Sequence, residues 1–136
     1  MTAFIDTNII VRFIAQDDTK KAKKVLRLLE KVESGEIDLI MTEAVFCEII
    51  YVLHSKKLYN LTRQEIQKFF LPILLLKGIK IPKKQIYIKS LDIFRQSLLD
   101  IEDCIVVSHM EANNIQDIYS YDKDFDRFNN LKRKEP

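Results

Sequence analysis

The chain has 136 residues, one domain's length, and a core of that size folds without needing disulfides or a structural metal. Apolar residues make up 47% and charged residues 31%, a mix that excludes a disordered chain, and no apolar run approaches the ~20 residues that span a bilayer. The net charge of +2 hides a segregation: eight acids and one base (Lys123) lie between residues 98 and 126, while bases dominate at 20–31, 56–57, 77–84 and 132–134. Those basic patches are compatible with a polyanion partner. Asp6 interrupts the one N-terminal apolar run and no basic region precedes it, so no signal peptide is expected. Cys47 and Cys104 sit among apolar residues without a CxxC pair and read as reduced thiols of a cytoplasmic, non-membrane protein.

In chain order, residues 2–5 read as a short buried strand, and a helix follows over about 8–14 with Asp6 and Thr7 as caps. Thr19 is the expected cap of a helix reaching Ser34, where Gly35 stops it; Ala22, Val25, Leu26, Leu28, Leu29 and Val32 form its apolar stripe. Residues 37–41 make a second strand, and Thr42 caps a helix to about Ser55. Thr62 with Glu65 is a capping box opening a helix toward Leu71, with Pro72 breaking the apolar run. A third strand at 79–81 stops at Pro82. Helices over about 84–98 and 101–113 lead to a fourth strand at 117–121, a short helix from about 123, and an edge strand in the tail. Strands separated by helices predict an α/β domain with an open parallel sheet of four to five short strands flanked by helices, one domain over residues 1–136. In such sheets ligands bind beyond the C-terminal strand ends.

Asp6 and Asp122 each follow a predicted strand and project from that edge. Helix capping alone accounts for either one. It does not account for Glu48 and Asp103, which lie in segments so apolar that their helices are expected to be buried and the acids to be buried or to face a cleft, with no Lys or Arg within a helical turn. An unpaired buried carboxylate costs several kcal/mol unless a base or metal compensates it. A structural ion pair with a distant base is the plain alternative for each. Glu102 points about 100° away from Asp103 and reads as surface. Four acids converging on one pocket need a counter-charge, which a hard divalent cation such as Mg²⁺ supplies through oxygen ligands and shared phosphate oxygens. That chemistry fits metal-assisted phosphodiester hydrolysis.

Asp6-Thr7-Asn8 after the first strand, Glu48, Asp103 and the run Ser120-Tyr121-Asp122-Lys123-Asp124-Phe125 together resemble the PIN-domain nuclease pattern. The stretch from Asp6 through Arg12 to Asp17-Asp18 is similar to VapC-type toxins of toxin–antitoxin pairs, and the resemblance runs from Phe4 to the tail. It implies a Mg²⁺- or Mn²⁺-dependent endoribonuclease with Asp6, Glu48, Asp103 and Asp122 as its catalytic, metal-holding acids. Thr7 and Asn8 would orient Asp6 or its water, and Ser120 keeps the hydroxyl that the family carries as Thr. Ile101-Glu102 departs from the small apolar residues usual before the third acid and sets a charge beside the site. Asp124 and Asp126 are possible extra acids, more simply read as surface or capping residues. Arg12 and the 20–24 lysines are the candidate RNA contacts.

The competing reading is a receiver-like regulatory α/β module that binds Mg²⁺. Against it, Asp6 stands alone after the first strand, and the third strand ends in Ile-Pro-Lys-Lys without an Asp. A PIN-like scaffold without catalysis is opposed by carboxylates at all four positions. Residues 122–133 imitate an EF-hand start, but Arg127 and Arg133 replace the required Gly and Glu. Cys47, His54, Cys104 and His109 lack zinc-site spacing, and two glycines, Gly35 and Gly78, cannot build a phosphate-cradling loop. The apolar residues of segments 60–76 and 9–14 exceed what a small domain usually hides and mark an interaction surface, the plain alternative being that all of them are core. By resemblance, that surface serves a homodimer and a groove for an antitoxin, whose Arg would pair with Asp6 and Asp103.

Overall fold

A computed structural model describes every residue from Met1 to Pro136. Strand β1 (Thr2–Phe4) leads to helices α1 (Thr7–Ala15) and α2 (Thr19–Glu33), then strand β2 (Asp38–Ile40). Helices α3 (Glu43–His54) and α4 (Arg63–Leu74) precede strand β3 (Ile79–Lys80). Helices α5 (Lys84–Gln96) and α6 (Ile101–Ala112), strand β4 (Asp117–Tyr119), a 3-10 helix (Lys123–Arg127) and strand β5 (Lys132–Lys134) complete the chain. The expected α/β class with parallel strands is what forms. The strands fall into two hydrogen-bonded sets, β1-β2-β3 and β4-β5, every pair parallel. The chain divides accordingly into two compact units, Met1–Lys84 and Gln85–Pro136.

In the first unit the ladder extends past the strand ends: the Ile5 amide donates to the Ile40 carbonyl at 3.0 Å and the Met41 amide to the Lys80 carbonyl at 2.8 Å. β1 and β3 are the edges, and the carboxyl ends of all three strands lie on one side, where Asp6 leaves β1. The core gathers Leu39, Met41, Phe46, Leu53, Ile66, Phe70 and Leu74, with the Phe46 and Phe70 rings 5.5 Å apart. Gly78 allows the segment before β3 to pass against the end of α2, where a Cβ would lie 2.7 Å from Val32 Cγ1 and 2.9 Å from the Ile37 carbonyl oxygen. In the second unit α5 and α6 bury Leu91, Phe94, Cys104 and Val107, and the buried Ser108 hydroxyl donates to the Ile86 carbonyl at 2.7 Å.

Several local expectations need correction. Asp18, not Thr19, caps α2, accepting from the Lys21 amide at 3.0 Å, because a carboxylate one residue earlier reaches the free amides. Pro72 does not end α4. It sits near the helix C-terminus, and the helix continues to Leu74 through it. The Thr62–Glu65 capping box forms as read. Of the apolar segments expected to form an interaction surface, Ile10, Val11, Ile66, Phe70, Ile73 and Leu74 are core, while Phe69 and Leu75 stay exposed. No helix is long and apolar enough to cross a membrane.

Candidate functional site

In the first unit, Asp6 occupies the N-cap position of α1 with extended backbone, yet its carboxylate makes no capping hydrogen bond. The capping explanation therefore fails for its side chain, which is exposed and in no ion pair within 4 Å. Thr7 is 4% exposed, and its hydroxyl donates to Glu48 Oε2 at 2.7 Å across 41 residues of sequence. That bond fixes one Glu48 oxygen and leaves the other free. Thr7 thus orients Glu48, whereas the resemblance implies that it orients Asp6 or its water.

Glu48 itself is exposed, so of the two positions expected for it, buried or facing a cleft, burial is the one that does not hold. Helix α3 buries Phe46, Ile49, Ile50 and Leu53, the i, i+3, i+4, i+7 stripe, and Glu48 lies on the opposite face with Ala44 and Tyr51. Those two apolar residues on the open face made the helix look apolar all round. Asn8 is exposed and lines a cavity of about 330 Å³ with Ile9, Arg12, Lys21, Lys24 and Val25. Arg12, the candidate RNA contact, is engaged by Asp17 Oδ2 at 2.7 Å, and the same oxygen accepts from the Tyr59 hydroxyl at 2.7 Å.

In the second unit, Asp103 is half-buried on α6, whose other faces bury Ile101, Cys104, Ile105, Val107 and Met110. Its carboxyl is pushed above the ordinary aspartate value, first by burial and then by the negative charges of Asp122, Asp100, Glu102 and Asp124. No base contributes to that field, and neither Asp103 nor Asp122 is in an ion pair. Asp122 follows β4 after Ser120 and Tyr121. The Ser120 hydroxyl accepts from the Asp122 amide at 3.0 Å, and Asp122 Oδ1 accepts from the Asp124 amide at 2.9 Å. One Asp122 oxygen thus shapes the turn while the other remains available.

Asp126 is neutralised by Arg133 at 2.9 Å, whereas Asp124 meets only the exposed Arg127 at 3.9 Å and adds to the field at Asp103. Of the two possible extra acids, Asp124 adds negative charge at Asp103, and Asp126 is paired with Arg133. Two participants escaped the sequence reading. Asp100 lies one turn before Asp103, a spacing that was legible. Arg133 also donates to the Ser120 carbonyl at 2.9 Å from the far side of the β4–β5 pair, and no local pattern points to that contact.

Within neither unit do three or more His, Cys, Asp or Glu side chains form a group able to hold a metal ion by themselves. The chemistry of the donors nevertheless fits a hard divalent cation: all are carboxylate oxygens, and around Asp103 they are short of positive charge. Comparison with protein families matches residues 3–131, spanning both units, to the PIN domain. No curated protein matches the chain.

Proposed function

The chain belongs to the PIN-domain family, typically metal-dependent nucleases, and from that premise we propose that it is a Mg²⁺- or Mn²⁺-dependent endoribonuclease. The observation that carries the reading is the uncompensated negative field on Asp103, set by Asp122, Asp100, Glu102 and Asp124. A structural role for that aspartate would call for a nearby base, and none is there. The acids proposed to hold the metal are Asp6, Glu48, Asp103 and Asp122. When bound there, the cation supplies an activated water and charge stabilisation for the phosphodiester.

The residues divide the remaining work. Thr7 fixes the Glu48 carboxylate in one orientation, and Ser120 fixes the turn that presents Asp122. Asn8 is the remaining candidate for positioning the attacking water, and Arg12, once released from Asp17, for meeting RNA. In keeping with the similarity of segment 6–18 to VapC-type toxins, the proposed biological role is the toxin of a toxin–antitoxin pair, acting as a homodimer and silenced by a cognate antitoxin protein.

Incubating the purified protein with structured and unstructured RNA in Mg²⁺ or Mn²⁺, with EDTA as control, tests the enzyme. Internal cleavage that EDTA abolishes is expected; intact RNA under every metal condition overturns the reading. Expression in a sensitive host tests the toxin role through growth arrest, and sedimentation at tens of micromolar tests the dimer.

A further inference from the structure

The lysine-rich stretch 77–84 is not accounted for by the acidic centre. A cavity of about 640 Å³ runs along the open edge of β3, with Ile40, Ile79, Ile81 and Pro82 as an apolar floor and Lys77, Lys80 and Lys84 on its rim. Ile40 and Lys80 end their strands, so the cavity reaches the carboxyl edge of the same sheet from which Asp6 departs. The one acid within ion-pair distance of any of the three ammonium groups is Asp38, 4.0 Å from Lys80. Lys77 has no acid partner, and Lys84 spends one donor on the Leu76 carbonyl at 2.9 Å. The first turn of α5, which Lys84 opens, contains no acid.

We infer that this cavity is a phosphate subsite for the RNA strand, in which Lys80 and Lys84, with Lys77 at the mouth, grip a backbone phosphate a few nucleotides from the cut. The inference rests on the nuclease reading. β3 lies two strand spacings from β1, roughly 10 Å, a span within the reach of a short stretch of single strand. Burial and the neighbouring Lys80 both depress the Lys84 ammonium, a cost that a bound phosphate offsets. Lysines also guard edge strands against unwanted pairing, but that role is served by fully solvated side chains and gives no reason to desolvate Lys84.

The probe is a fluorescent single-stranded oligoribonucleotide, titrated in EDTA so that no cleavage occurs, at several salt concentrations. Lys80→Gln/Lys84→Gln is compared with wild type and with Lys56→Gln/Lys57→Gln, which removes the same charge from an exposed pair that follows α3. Gln at 84 keeps a donor for the Leu76 carbonyl, and Lys77→Gln/Lys80→Gln leaves Lys84 in place should that contact prove essential for folding. The subsite predicts that the β3-edge pair weakens binding by about tenfold at low salt and lowers the salt slope by about 0.7 per lysine removed, with the 56/57 pair changing both less. Equal losses in the two pairs, no change in either β3-edge variant, or no RNA binding by wild type overturns the subsite. Wild type that binds the probe through these lysines but cuts nothing in Mn²⁺ overturns the nuclease reading and leaves the subsite standing.

Discussion

Thr7 and Glu48 are joined by a 2.7 Å hydrogen bond that links the first turn of α1 to the exposed face of α3, although 41 residues separate them. The donor is buried and the acceptor is open to solvent, so the contact orients a carboxylate more than it holds the fold together. A residue placed this way reveals itself in activity rather than in stability.

Thr7→Val keeps the shape of the side chain and removes the hydroxyl. Metal affinity or cleavage rate is expected to drop by about 10- to 100-fold, as for other groups that orient metal ligands, while denaturation midpoints change little. Thr7→Ser is expected to retain most activity. Cleavage assays alongside urea titrations distinguish these outcomes.

Asp103→Asn removes one charge from a crowded acidic field. In metal-free buffer the variant is expected to melt higher than wild type by roughly 1–3 °C, and saturating Mn²⁺ is expected to raise the melting temperature of wild type but not of the variant. Differential scanning calorimetry with and without metal checks both signs.

The order of elements was legible because apolar periodicity and capping chemistry agree along most of the chain, as at Thr42 and at the Thr62–Glu65 box. The acids were legible as candidates because Asp6 and Asp122 follow strands and Asp103 sits in an apolar helix. Burial of Glu48 was misread, since Ala44 and Tyr51 share its open face and composition does not reveal which face a helix turns inward. Long-range partners were invisible for the same reason. Nothing near Arg12 in sequence announces Tyr59, and nothing near Ser120 announces Arg133.

The Tyr59–Asp17–Arg12 cluster gives a pH-dependent signature. The Tyr59 hydroxyl, aided by Arg12 and against partial burial, holds the Asp17 carboxyl below its ordinary 3.8, and Asp17 holds the Tyr59 phenol above 10.0. The Asp17 contribution to stability is complete above its unfolded pKa and is lost as the pH falls through its lower folded value. The Tyr59 contribution is complete below its unfolded pKa and is lost as the pH rises through its higher folded value. Tyr59→Phe is therefore expected to cost about 0.5–1 kcal/mol near neutrality, with the difference from wild type shrinking at both extremes. Urea denaturation across pH reads this directly.

Gly78→Ala is expected to destabilise by about 1–3 kcal/mol, because two of the three nearest atoms to the new methyl are backbone oxygens of Val32 and Ile37, which cannot move aside as a flexible side chain would. Gly35→Ala meets open space, and its cost comes only from the φ of 81° at that position, roughly 1 kcal/mol. Chemical denaturation of the two variants is expected to rank them in that order.

The most direct measurement for the proposed centre is Mn²⁺ binding, by calorimetry or electron paramagnetic resonance, to wild type, Asp6→Asn and Asp103→Asn. Metal-holding roles for Asp6 and Asp103 predict that either substitution weakens Mn²⁺ binding by at least tenfold. Wild-type Mn²⁺ affinity in Asp6→Asn, or in Asp103→Asn, would contradict the proposed metal-holding role of that residue.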